Sequence, residues 1–136
     1  MSSPAVMREK VRALIERHCA WLAERACEID SRTRRLMSRP EPARAEMAEF
    51  RELAHQIAGA SGTMGFAEVS AAARALEDVL ERLANRGEGP AGAAAASLVT
   101  GPAAQLGQAI ARAAPQRSAL YNREFGPVAG ARNHAW

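Results

Sequence analysis

Residues 53–65 read LAHQIAGASGTMG, and this stretch combines an apolar helix stripe with a histidine on the opposite side. At about 100° per residue, Leu53, Ile57 and Met64 fall on one stripe, whereas His55 points roughly the other way. Apolar residues that recur at this spacing are typical of an amphipathic helix packed on a core. The sequence therefore predicts a helix that carries an exposed histidine.

The predicted helix surface around His55 is almost bare. Ala58, Gly59 and Gly62 lie on its C-terminal side, and Arg51 lies one turn before it. A glycine inside a helix costs about 1 kcal/mol relative to alanine, so two of them beside one histidine favour close approach of another molecule. Two alternatives remain open: an ordinary solvated histidine, or close packing of a neighbouring helix that would bury His55.

The composition predicts an all-α protein. Hydrophobic residues make up 48% of the chain and aromatic residues only 4%, and the commonest residues, alanine, arginine, glutamate and leucine, are strong helix formers. A length of 136 residues suits one domain. We expect an antiparallel four-helix bundle with His55 exposed on the second helix.

Proline and glycine mark the ends of four predicted helices. The first begins at residue 4 or 5 and ends near 37, before Pro40 and Pro42; the second begins within 41–44 and ends near 63. The third spans the apolar seam of residues 66–83, and the fourth spans residues 91–113. The predicted inward residues of the first three helices are Val11, Ile15, Cys19, Leu22, Ala26, Ile29, Leu36, Met47, Phe50, Leu53, Ile57, Met64, Phe66, Val69, Ala73, Leu76, Leu80 and Leu83.

The fourth helix and the segment after it are less regular. Gly101 and Pro102 are expected to kink or split the helix, and its predicted inward residues are Leu98, Val99, Leu106 and Ile110. We expect a bundle domain at 1–113 and a loosely ordered tail at 114–136. Four apolar tail residues are expected to dock on the bundle or on a partner: Leu120, Tyr121, Phe125 and Trp136.

Charge and cysteine content exclude several classes of protein. The net charge of +3 is weak for nucleic-acid binding, so the arginines at 32, 34, 35 and 39 are interpreted as a solvated helix end. Cys19 and Cys27 lie about 12 Å apart along one helix, too far for a disulfide, and no zinc-ligand pattern accompanies them. No signal peptide or membrane span is visible, so we expect a cytoplasmic protein.

The stretch around His55 resembles the histidine-containing phosphotransfer domain of bacterial two-component phosphorelays. That family carries a histidine, two variable residues, usually a lysine, a glycine, small residues and a further glycine. The matching positions here are His55, Gly59, Ser61 and Gly65, while Ala58 stands where the lysine is usual. The match is closest over residues 53–77, which include Leu76 and Glu77 on the next helix, and the helical architecture extends it over residues 4–113.

The resemblance implies a phosphocarrier that exchanges a phosphoryl group with receiver-domain aspartates. The receiver would supply Mg²⁺, so the chain would need no cofactor or metal of its own. The sequence contains no glycine loop that cradles phosphate, so we expect no ATP-dependent kinase activity. The implied partners are a receiver domain and a hybrid histidine kinase, and we expect a monomer that binds neither nucleic acid nor membrane.

The resemblance also implies the roles of the site residues. His55 would be the phosphoacceptor, and Gly59 and Gly62 would clear space beside it. Gln56 would hydrogen-bond a phosphoryl oxygen, or remain solvated. Arg51 would replace the charge of the missing lysine, or pair with a surface glutamate.

Two other functions remain open. Because Ala58 replaces the usual lysine, the bundle is also interpreted as an interaction module that binds a receiver or another partner without accepting phosphate. The seam of residues 66–83 also allows a helical oligomerisation domain.

Overall fold

The computed structural model describes residues 3–38, 44–85 and 92–124, and these ranges contain helices and no strand. The elements are α1 (Pro4–Ser38), α2 (Arg44–Thr63), α3 (Ala67–Ala84), α4 (Gly92–Arg112) and a 3₁₀ turn (Pro115–Arg117). The all-α prediction is confirmed, and the predicted helix ends agree within three residues. Pro40, Pro42 and the glycines at 87 and 89 lie outside the described residues.

The four helices bury one continuous core. The α2 helix packs closely on α3, α4 packs on both α1 and α3, and α1 and α2 share a smaller contact. The largest fully buried side chains include Phe50, Ile15, Leu22, Ile57 and Leu76. Each such side chain contributes about 1.5–3 kcal/mol when it leaves water, so the meeting of the four apolar stripes holds the bundle together.

The predicted apolar stripes of α1, α2 and α3 are confirmed. Every predicted inward residue of these helices is either buried or packed against the core. The 66–83 seam is buried from Phe66 to Leu83, so it is occupied within the bundle by the chain's own helices. The structure therefore gives no support to the oligomerisation alternative.

One prediction for α4 is wrong. Val99, Leu106 and Ile110 are buried as predicted, but Leu98 is 47% exposed. At Pro102 the helix continues without being split, and the predicted kink there stays a prediction. Proline removes the hydrogen bond to the carbonyl four residues earlier, which here belongs to the exposed Leu98.

The connection between α2 and α3 is a tight turn that depends on Gly65. Its φ of +83° lies in the left-handed region, which glycine adopts without a steric penalty. The amide of Phe66 donates to the carbonyl of Ser61 at 2.8 Å, which caps the end of α2. The chain therefore reverses direction within three residues, and α3 returns along α2.

The segment after α4 fastens this turn. The hydroxyl of Ser118 donates to the carbonyl of Met64 at 2.6 Å, and the amide of Ala119 donates to the carbonyl of Gly65 at 3.0 Å. On α1, Nε of Arg12 donates to the carbonyl of Tyr121 at 2.9 Å. The segment thus ties the α2–α3 turn to α1.

Part of the predicted tail therefore packs on the bundle. Leu120 and Tyr121 pack against the core, which confirms the docking predicted for these two residues. Phe125 and Trp136 lie outside the described residues. The domain boundary at residue 113 stays a prediction.

A buried histidine joins α1 to α2. His18 on α1 is only 8% exposed. Its Nε2 lies 3.1 Å from Oγ of Ser61, and its ring stacks between those of Trp21 and Phe66, with centroid distances of 5.4 and 5.8 Å. Burial lowers the pKa of His18, because the charged imidazolium loses hydration there.

Replacing Gly65 with alanine should destabilise the fold. A Cβ at this position would come within 2.7 Å of Oγ of Ser118 and 2.9 Å of the amide nitrogen of Ala119, at a positive φ. We expect Gly65→Ala to lower the free energy of unfolding in urea by about 2–4 kcal/mol. The control is Gly107→Ala, where a Cβ meets nothing within 4 Å and a gain of about 0.5–1 kcal/mol is expected in the helix. Equal stability of Gly65→Ala and the wild type would contradict the role of this turn.

His18 should make stability depend on pH. Because the pKa of His18 is lowered in the folded state, the unfolded chain binds more protons below its ordinary pKa of about 6.5. The stability from neutral His18 is present above that value and is lost as the pH falls towards the folded-state pKa, with a slope of at most about 1.4 kcal/mol per pH unit. Urea unfolding between pH 7.5 and 5 should show a shallower decline for His18→Gln than for the wild type. Identical pH profiles would show that His18 titrates alike in both states.

Candidate functional site

The site centres on a histidine–glutamate pair across α2 and α3. Nδ1 of His55 lies 2.8 Å from Oε2 of Glu77, and the two side chains are 63% and 19% exposed. His55 therefore presents its ring to solvent, as predicted, while Glu77 is partly covered beside it. The exposed position excludes the alternative in which a neighbouring helix buries His55.

This contact decides which ring nitrogen is free. An ionised carboxylate can only accept a hydrogen bond, so Nδ1 of His55 carries the proton and donates to Glu77. In the neutral ring, Nε2 then keeps its lone pair. The pair fixes both the tautomer and the direction of the ring, and it leaves the outer nitrogen available to an incoming electrophile.

The two glycines on the C-terminal side of His55 have different surroundings. A Cβ added at Gly59 would meet no atom within 4 Å, whereas one at Gly62 would lie 3.3 Å from Oγ of Ser70. Gly59 therefore faces open space, and Gly62 lies against α3. The same serine donates to the carbonyl of Ala58 at 2.8 Å, which links α2 to α3 one turn from His55.

The expectation that Ala58 lies on the open surface beside His55 is wrong. Its side chain is only 3% exposed, because this side of α2 turns towards α3. A helical wheel of α2 alone cannot show which flank of His55 the next helix covers. The bare surface beside the histidine is accordingly supplied by Gly59.

Two other predicted site residues lie within a turn of His55. Gln56 is exposed and borders a charged groove between α1 and α2 that also contains Arg25 and Glu28. Arg51 is partly exposed, and no ion pair to a glutamate joins it within residues 3–38, 44–85 and 92–124. Neither side chain forms a hydrogen bond with His55, so their roles stay predictions.

Glu77 is the site residue that residue-by-residue reasoning did not assign. The resemblance placed Leu76 and Glu77 on the next helix without giving the glutamate a role. Contact with His55 depends on the register of α2 against α3, which the turn at Gly65 sets. One indication was present in the sequence: Glu77 follows Leu76, which belongs to the apolar seam of residues 66–83, so Glu77 lies at the edge of that seam.

Ser61 and His18 are structural. Ser61 is fully buried, and its Oγ lies 3.1 Å from Nε2 of His18, so it closes the packing between α1 and α2. His18 is enclosed by aromatic rings and cannot meet a partner protein. Across the described part of the chain, no three His, Cys, Asp or Glu side chains are grouped as metal ligands would be.

The exposed, oriented histidine lies within the part of the chain that matches a known protein family. The family model described as Hpt domain covers residues 6–116 of the chain. The chain belongs to the Hpt domain family. Hpt domains are the histidine phosphotransfer domains of phosphorelays, so the family assignment places this chain in phosphorelay signalling and confirms the resemblance drawn from residues 53–77.

Two further findings complete the comparison. No curated protein and no solved structure gives a significant match to the chain. Among the described helices of this Hpt domain, none has the length and apolar character needed to cross a bilayer.

Removing the Glu77 carboxylate should change the tautomer of His55. In the wild type, ¹⁵N NMR at a pH where the ring is neutral should show Nδ1 protonated and Nε2 unprotonated. Glu77→Ala should shift His55 towards a mixture of both tautomers, because the hydrogen bond that selects one is lost. Glu81→Ala, one turn further along α3, is the matched control and should leave the spectrum unchanged. A wild-type ring protonated mainly on Nε2 would contradict the assigned hydrogen bond.

Proposed function

We propose that this Hpt domain is a phosphocarrier that accepts a phosphoryl group on Nε2 of His55 from a receiver-domain aspartate and returns it to another. The observation that carries the proposal is the His55–Glu77 pair, which holds Nδ1 and leaves Nε2 exposed. The open surface at Gly59 supports it, because a receiver must bring its aspartate close to the ring.

The transfer conserves atoms and charge in one displacement. The lone pair of Nε2 attacks phosphorus, a bond forms between Nε2 and phosphorus, and the bond from phosphorus to the aspartyl oxygen breaks. The bonding electrons leave with the aspartate as a carboxylate. The proton on Nδ1 stays in place, so the ring becomes cationic and Glu77 stabilises it. The reverse step returns the phosphoryl group.

Positioning of the reacting groups accounts for much of the rate enhancement of such a transfer. Glu77 fixes the ring before the partner arrives, and the helical bundle keeps α2 and α3 rigid beneath it. The receiver would contribute Mg²⁺ and its acidic pocket, so this domain would contribute the nucleophile and the docking surface. The proposed partners are receiver domains, including that of a hybrid histidine kinase, and the domain would lack ATP-dependent kinase activity.

The deciding experiment is phosphotransfer from a phosphorylated receiver. Receiver domains of the same organism, labelled on their aspartates, should pass an acid-labile label to the wild type and none to His55→Gln. His18→Gln is the matched control, because this histidine is buried and should keep the label on His55. Circular dichroism would show that both variants are folded. Label on folded His55→Gln would refute the site.

The same experiment tests the second candidate function. Position 58 is an alanine, whereas the family usually carries a lysine there, close to its histidine. The missing lysine favours a module that binds receivers without accepting phosphate. Measurable binding of a receiver with no label on the wild type would establish that alternative. Transfer to His55 would exclude it.

A further inference from the structure

A phosphoryl group on His55 would enter an acidic environment. The group carries up to two negative charges, and Glu77 already lies 2.8 Å from the ring. Glu52 on α2 and Asp78 and Glu81 on α3 are exposed on the same part of the bundle. Like charges about 4 Å apart repel each other by about 1 kcal/mol in bulk water and more near a protein surface, so a cation at this surface would stabilise the phosphorylated form.

The register of α2 against α3 shows which residue can supply the cation. His55 contacts Glu77, and the Cβ position of Gly62 contacts Ser70. The order of the two contacts is reversed along the chain, so the helices are antiparallel. His55 and Gly62 lie seven residues apart on α2, and Ser70 and Glu77 lie seven residues apart on α3. Three residues forward from His55 on α2 therefore correspond to three residues back from Glu77 on α3, which places Arg74 opposite Ala58.

Arg74 stands one turn before Glu77 on α3. It is exposed, and no hydrogen bond or ion pair joins its guanidinium to the described residues. Positions three apart on a helix are neighbours on its surface, so Arg74 and Glu77 share the flank of α3 that borders α2. Ala58 and Gly59 carry no long side chain that would separate Arg74 from His55, and a Cβ at Gly59 would meet no atom within 4 Å.

Arg51 is the rival cation on the other side of His55. The same register places Arg51 opposite Glu81, and Glu52 is its neighbour along the chain. A guanidinium with two carboxylates close by has competing partners. The residue opposite Arg74 is an alanine, so the facing helix offers it no carboxylate. Its acidic neighbours Glu77 and Asp78 lie on its own helix, and Glu77 is already paired with His55.

We propose that Arg74 binds the phosphoryl oxygens on His55 and supplies from α3 the positive charge that this site needs. The proposal rests on the proposed phosphocarrier function and adds to it a binding residue on the facing helix. Arginine suits the role because its planar guanidinium donates two parallel hydrogen bonds to phosphate oxygens.

The test uses phosphoramidate, a small anionic phosphoryl donor, so that no receiver is needed. The bond from Nε2 to phosphorus forms, the bond from phosphorus to nitrogen breaks, and ammonia leaves. Intact-mass measurements give the rate of phosphorylation, and ³¹P NMR against pH gives the second pKa of the phosphoryl group on His55. The variants are Arg74→Gln, Arg74→Lys, Arg51→Gln, Arg82→Gln and His55→Gln.

We expect Arg74→Gln to slow phosphorylation about tenfold, which corresponds to about 1.4 kcal/mol, and to raise the pKa of the phosphoryl group. Arg74→Lys should restore most of the lowered pKa, because the charge is kept. Arg82→Gln is the matched control: Arg82 is exposed two turns along α3, bonds only the carbonyl of Asp78, and should behave as the wild type.

The outcomes separate this inference from the proposed function. Label on His55 with the same rate and phosphoryl pKa in Arg74→Gln as in the wild type would overturn the role of Arg74 alone. A shift in Arg51→Gln instead of Arg74→Gln would assign the charge to α2 and overturn it as well. Failure to label wild-type His55, or label that persists in His55→Gln, would refute both proposals.

Discussion

The close antiparallel packing of α2 on α3 is the constraint on which the rest of this Hpt domain depends. The turn at Gly65 reverses the chain within three residues, and Ser70 bonds the carbonyl of Ala58. Together they fix one register between the helices, and that register brings Glu77 to His55. A shift of one turn would move the carboxylate about 5 Å along the helix and leave the histidine unoriented.

The segment after α4 shows how the bundle protects this register. It bonds the α2–α3 turn through Ser118 and Ala119 and reaches α1 through Tyr121 and Arg12. The buried His18 makes a second link, from α1 to Ser61 of α2. Since α1 and α2 pack less closely than α2 and α3, these polar contacts hold α2 in place from the side of α1. The exposed histidine thus stands on a helix that is fixed on both flanks.

The α2 and α3 helices contribute different groups to the site. The α2 helix supplies the nucleophile and the open surface at Gly59, whereas α3 supplies the carboxylate that orients the ring and, in our proposal, the guanidinium that binds the phosphoryl group. A cation placed opposite Ala58 would explain how this chain dispenses with the lysine usual beside the histidine. Charge can be provided from either helix, because electrostatic stabilisation depends on distance and burial and not on the position of the residue in the chain.

The sequence by itself determined the four helices, the apolar stripes of α1 to α3, and the exposure of His55, because these follow from periodicity and helix-ending residues within single segments. It failed at Leu98, where the outcome depends on which side of α4 meets solvent. The burial of Ala58 and the pairing of Glu77 with His55 were decided only by the tertiary structure. Both result from the rotation and register of one helix against another, which a turn and a few contacts between distant residues fix and no local pattern records.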